Sequence, residues 1–140
     1  MYRLLMPVDA NEERARTQAR YVASLPGASE TVEAIVLFVF QNEDEDIPDD
    51  LKRFKTASRV GSVRRATEYL EDRDIEYTII DESGDTVEDI LKEADRHDVD
   101  AIVLGGRKRS SVGKAIFGSV AQSVILKTDR PVVVTGADKQ

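Results

Sequence analysis

The chain has 140 residues, 41% of them hydrophobic, with 8 Gly and 4 Pro, and 27 acidic against 20 basic side chains give a net charge of -7. That length fits one domain, residues 1–140, with a core covering roughly two-thirds of the unfolded surface, and the acidic balance argues against nucleic acid or an anionic membrane as partner. The absence of cysteine excludes disulfides, thiolate metal sites and a cysteine nucleophile, and a single histidine, His97, excludes a multi-histidine metal site.

Neither end carries a signal-peptide pattern, and no run approaches the ~18 apolar residues of a membrane span, so the expected location is cytoplasmic. Arginines outnumber lysines 13 to 7 and the acids are scattered along the chain. This surface resembles that of a halophilic protein from a salt-loaded, haloarchaeal-like cytoplasm.

Tyr2 to Val8 is an apolar run with a proline near its end and reads as a first strand. Asp9, with Glu12 three residues on, has the spacing of a capping box, and Ala15, Ala19, Val22 and Ala23 then share one helical face. The helix stops at Leu25-Pro26-Gly27. Val32 to Phe40 is too continuously apolar for a half-exposed antiparallel strand and reads as a central parallel one. Gln41 to Asp50, rich in acids, reads as a surface loop.

A second helix places Val60, Val63, Thr67 and Leu70 on one face. Ile75 to Ile80 is a third strand, and a third helix opens at Gly84-Asp85-Thr86 with Val87, Ile90, Leu91 and Ala94 together. Asp100 to Leu104 is a fourth strand, Ser119 to Lys127 a fourth helix and Pro131 to Thr135 a fifth strand. Alternating strands and helices with right-handed crossovers predict an α/β domain with one parallel sheet covered on both faces. In such a sheet ligands sit beyond the carboxyl ends of the strands where the order reverses.

Gly105 to Ala121 has the chemistry of an anion cradle. No Asp or Glu occurs from Ala101 to Thr128, whereas Arg107, Lys108, Arg109, Lys114 and Lys127 are all cationic. Ser119 and Gln122 have capping-box spacing, and Gly118 before them would let a phosphate oxygen reach the unpaired N–H groups of a helix start. Gly113-Lys114 is not a P-loop, since Lys108 and Ala115 stand where that motif needs Gly and Ser or Thr. A dinucleotide-binding glycine fingerprint after the first strand is also missing. Asp9 and His97 are the only side chains that suggest a general base, and neither has an evident partner.

The spacing Gly105, two residues, Lys108, nine residues, Gly118-Ser119 resembles the nucleotide-binding signature of the universal stress protein family, with lysine in place of the second glycine. The resemblance extends over the strand ending in Asp9, IVLFVF, Gly84, DAIVLGG, FGSVAQSVI and RPVVV. It implies a flavodoxin-like fold with strand order 3-2-1-4-5 and a stress-response regulator that binds ATP or a related adenine nucleotide, any Mg2+ arriving with the nucleotide. Asp9 and Val39 would face the adenosine and Gly105 the ribose, with Pro7, Val8 and Leu104 at the same strand ends counted as nucleotide-binding. Lys108, Gly118, Ser119 and Val120 would border the phosphates, with Arg107 beside Lys108 also counted as nucleotide-binding. A homodimer through Pro131 to Thr135 is implied as well. The alternatives are a nucleotide-free dimer acting by protein contact and a slow Mg-ATPase.

Overall fold

A computed structural model describes residues 1–40, 56–106 and 118–136. Strands β1 (Tyr2–Pro7), β2 (Val32–Phe40), β3 (Glu76–Ser83), β4 (Ala101–Gly105) and β5 (Val132–Thr135) form one parallel sheet in the order β3-β2-β1-β4-β5. This is the expected flavodoxin-like arrangement. The helices α1 (Glu12–Ala23), α2 (Gly61–Asp72), α3 (Thr86–Arg96) and α4 (Ser119–Lys127) connect the strands, with single turns at Ala28–Thr31 and Ala57–Arg59. The acidic run Gln41 to Asp50 lies outside the described residues.

Strand periodicity sorts the core into two layers. Leu4 and Met6 of β1, Ala34 and Val36 of β2, and Ala101 and Val103 of β4 pack with Ala15, Ala19 and Val22 of α1 and Val63, Ala66 and Leu70 of α2. The intervening Leu5, Ile35, Leu37, Ile102 and Leu104 point the other way, to Ile90 and Ala94 of α3 and Ala121 and Val124 of α4. The inner stretches Leu4–Met6, Ala34–Leu37 and Ala101–Leu104 are therefore apolar at every position because both faces are covered.

Three local expectations need correction. The third strand runs on to Ser83, because among the described residues β3 has only β2 beside it and its polar tail Asp81-Glu82-Ser83 pairs with Phe38, Val39 and Phe40 while keeping one face in water. Asp9 does not cap α1. Asn11 does, its side-chain oxygen accepting from the Arg14 N–H at 2.8 Å. Nor does Ser119 cap α4: the helix runs from Ser119 to Lys127 as expected, and Gly118 is its N-cap. At α3 the expected cap is present, with Asp85 Oδ1 accepting from the Glu88 N–H at 2.9 Å.

One buried acid gives stability a pH dependence. Glu93 of α3 is 2% exposed and faces Glu82 of β3, with His97 Nε2 3.2 Å from Oε2 and Arg96 Nη1 3.5 Å from Oε1. Burial, and then the hydrogen bond and charge of Glu82, push Glu93 above its ordinary 4.5. The Glu93 and Lys92 hydrogen bonds hold Glu82 below that value. Nearby Asp89 is also raised, by burial and then by the charge of Glu82. A raised carboxyl contributes stability that is complete below its unfolded value and is lost as pH climbs through the folded one; Glu82 contributes with the opposite sign. With two groups raised and one lowered, Glu93→Gln should keep the donor to Glu82, remove the titration, and gain stability over wild type as pH rises from about 4.5 to 8. Parallel melting curves for the two proteins across that range would contradict this assignment.

Candidate functional site

The sheet opens where its order reverses. Strands β1 and β4 are in register at Leu4–Ala101 and Leu5–Ile102. Beyond those pairs the gap between them is bridged by Gln18 of α1, a polar residue only 1% exposed. Its Nε2 donates to Pro7 O at 2.7 Å and to Val103 O at 3.0 Å, so one amide serves both strands. Two acceptor partners also fix which end of the amide is nitrogen. Above this bridge lies a cavity of about 330 Å³, at the lower end of the size range of small-molecule sites.

The cavity collects the expected residues that lie in the described part of the chain. Pro7, Val8 and Asp9 come from the end of β1, Val39 from β2, and Leu104 and Gly105 from β4. Gly118, Ser119 and Val120 enter from the start of α4. Leu104 is buried, and Val39 and Val120 are partly buried against the same core layer, which gives the cavity apolar walls. Arg107 and Lys108 lie outside the described residues. Arg14, Gln18, Thr86 and Ile90 also line the cavity and were missed by sequence reasoning. Arg14 and Gln18 fall on the side of α1 that meets the sheet, and only tertiary packing brings them to the strand ends.

Asp9 is committed locally. Its Oδ1 accepts from the Asn11 N–H and its Oδ2 from Arg14 Nε, each at 2.9 Å. Gly105 has a packing role. A Cβ there would lie 2.7 Å from Arg14 Cγ, 2.9 Å from Arg14 Cδ and 3.2 Å from Gln18 Oε1, so the missing methyl is the space in which the arginine stem runs.

The start of α4 also lines the cavity, with Gly118 as an N-cap that has no side-chain cap. Gln122 N–H is the first to bond back, to Gly118 O at 3.1 Å. Among the described residues no side chain caps the N–H groups of the first turn, which lie at the positive end of the helix dipole and beside a residue without a Cβ. Anion binding is what such a helix start does chemically. No group of three His, Cys, Asp or Glu that could hold a metal occurs among the described residues, and no helix among them is long and apolar enough to cross a membrane.

A model of the universal stress protein family matches residues 1–136. The chain belongs to that family. A universal stress protein of Mycolicibacterium smegmatis is 35% identical over 77 residues, 54% of this chain and 59% of the relative, so the chain spans less than two thirds of that protein. A universal stress protein of Methanocaldococcus jannaschii is 28% identical over 131 residues, 94% of this chain and 74% of the relative. The solved structure of that archaeal protein superposes with a TM-score of 0.77 at 26% identity, covering 99% of this chain and 98% of its own. An Archaeoglobus fulgidus universal stress protein, solved in complex with dAMP, gives a TM-score of 0.70 at 25% identity, with 96% and 98% covered.

Proposed function

We propose that this universal stress protein binds an adenine nucleotide, ATP in the first instance, in the cavity between β1 and β4, and acts as a dimeric stress-response regulator. The observation that carries the reading is the uncapped glycine start of α4, which opens into the same cavity as the apolar ends of β2 and β4. An adenine ring needs apolar walls and phosphates need N–H donors, and both kinds of group line this one space. The dAMP complex of the A. fulgidus relative supports the nucleotide class. Val39 and Leu104 would border the base, the first turn of α4 would take phosphate oxygens, and Lys108 would add a point charge. Any Mg2+ would come with the nucleotide.

Wild type should gain thermal stability with millimolar Mg-ATP by linkage. Gly118→Val, which puts a branched side chain at the helix start, should lose that gain while melting near the wild-type temperature without ligand. A wild type that neither releases nucleotide on denaturation nor shifts with Mg-ATP would refute the reading.

The dimer is proposed through β5. Among the described residues this strand pairs on one side alone, with β4, and its three valines are half-buried. Such an edge invites a second chain. Val133→Lys should convert a dimeric wild type into monomer, as read by light scattering; a monomeric wild type would exclude the interface.

A further inference from the structure

Arg14 has no place in the sequence signature, yet the cavity is built around it. We propose that Arg14 is the side chain that meets a phosphate oxygen of the bound nucleotide, and that Asp9 is a positioning residue that holds Arg14 in place. This rests on the nucleotide reading above and assigns two residues of that site.

Asp9 receives the Asn11 N–H on one carboxylate oxygen and Arg14 Nε on the other. For a ligand to use Asp9 as its acceptor it would have to compete with two formed hydrogen bonds, one of them charge-assisted. Arg14 is differently placed. Its own N–H donates to Asn11, its Nε donates to Asp9, and among the described residues neither Nη group has a protein partner. The stem is locked as well, with Cγ and Cδ filling the space left by Gly105. A guanidinium held by its Nε and its methylenes presents its Nη edge in a fixed direction, the arrangement suited to phosphate oxygens.

The balance of charge points the same way. The Asp9 side chain is 55% exposed and that of Arg14 is 25% exposed. Water therefore screens the carboxylate more than the guanidinium, and the field inside the cavity keeps a positive bias. The α4 start, which lines the same cavity, adds to that bias.

The test titrates Mg-ATP and adenosine by calorimetry, at one salt concentration, into wild type, Arg14→Ala, Arg14→Lys, Asp9→Ala and the double Asp9→Ala/Arg14→Ala variant. Thermal unfolding of each confirms that it folds. Arg14→Ala should weaken Mg-ATP about ten-fold or more and adenosine by no more than about two-fold. Arg14→Lys should recover part of the loss. Asp9→Ala should weaken Mg-ATP in the wild-type background and add almost nothing once Arg14 is alanine, because it acts through Arg14.

Equal losses from Asp9→Ala in both backgrounds would mean that Asp9 touches the ligand itself. Equal losses of Mg-ATP and adenosine in Arg14→Ala would move the contact off the phosphate. Either result overturns the proposal, as does an Arg14→Ala protein that binds Mg-ATP like wild type. A wild type that binds neither probe removes the nucleotide reading, and this assignment with it.

Discussion

Gly106→Ala is expected to lower the melting temperature by about 5 to 15 °C, the consequence of an overpacking cost of about 1–3 kcal/mol or more in a domain of this size. A Cβ on Gly106 would lie 2.2 Å from the backbone oxygen of Thr135 and 3.3 Å from Val134 Cγ1. No rotamer change relieves a clash with a carbonyl, so β5 itself has to move. That strand has only four residues, all in register with β4 from Ile102–Val132 to Gly105–Thr135, and the Thr135 hydroxyl also donates to Leu104 O at 3.2 Å. Separating the strand tips breaks this bond and the adjacent pairing together.

Two neighbouring glycines serve as controls. Gly136→Ala meets nothing within 4 Å and should be neutral. Gly105→Ala meets the flexible stem of Arg14 and should cost less stability than Gly106→Ala while displacing the guanidinium from Asp9. A Gly106→Ala protein as stable as Gly136→Ala would show that β5 is not packed this closely.

These glycines also show where sequence reading stops. Val32 to Phe40 could be read as a central strand because an unbroken apolar run admits few other roles, and the parallel sheet followed from the alternation of elements, whereas its strand order came from the family resemblance. Helix faces were equally legible, since a 3.6-residue period is a local property. What fills the absent Cβ of a glycine is not local. The resemblance offered Gly105 as a neighbour of the ribose and nothing singled out Gly106, and the fold packs protein against both positions, Arg14 and Gln18 at one and the Thr135 carbonyl at the other.

Caps failed for a related reason. Asp9 and Asn11 are both good N-cap residues, and the choice went to Asn11 because the Asp9 carboxylate bonds to the Asn11 N–H and Arg14 instead. Arg14 and Gln18 reach the cavity only because α1 crosses the ends of β1 and β4, which no spacing along α1 announces.

Gln18→Leu is expected to destabilise the fold by about 2–3 kcal/mol. The amide is 1% exposed and satisfies Pro7 O and Val103 O at once. Leucine of similar volume would leave two carbonyls without donors, each costing about 1–3 kcal/mol, against a smaller gain from added apolar burial. Val103 O bears most of this, because its bond to Gln18 is buried whereas that of Pro7 O is partly open to the cavity. Gln18→Glu separates loss of the donor from loss of shape. A carboxylate there would face two carbonyl oxygens with little solvent, so its folded pKa should rise above the ordinary glutamate value. Its stability relative to wild type should then be greatest in acid, where the protonated carboxyl can donate one bond, and fall as pH climbs through that raised value. Denaturant unfolding of both variants at pH 5 and pH 8 provides the measurement. A Gln18→Leu protein as stable as wild type, or a Gln18→Glu deficit that does not change with pH, would mean that the strands at this crevice hold together without the amide bridge.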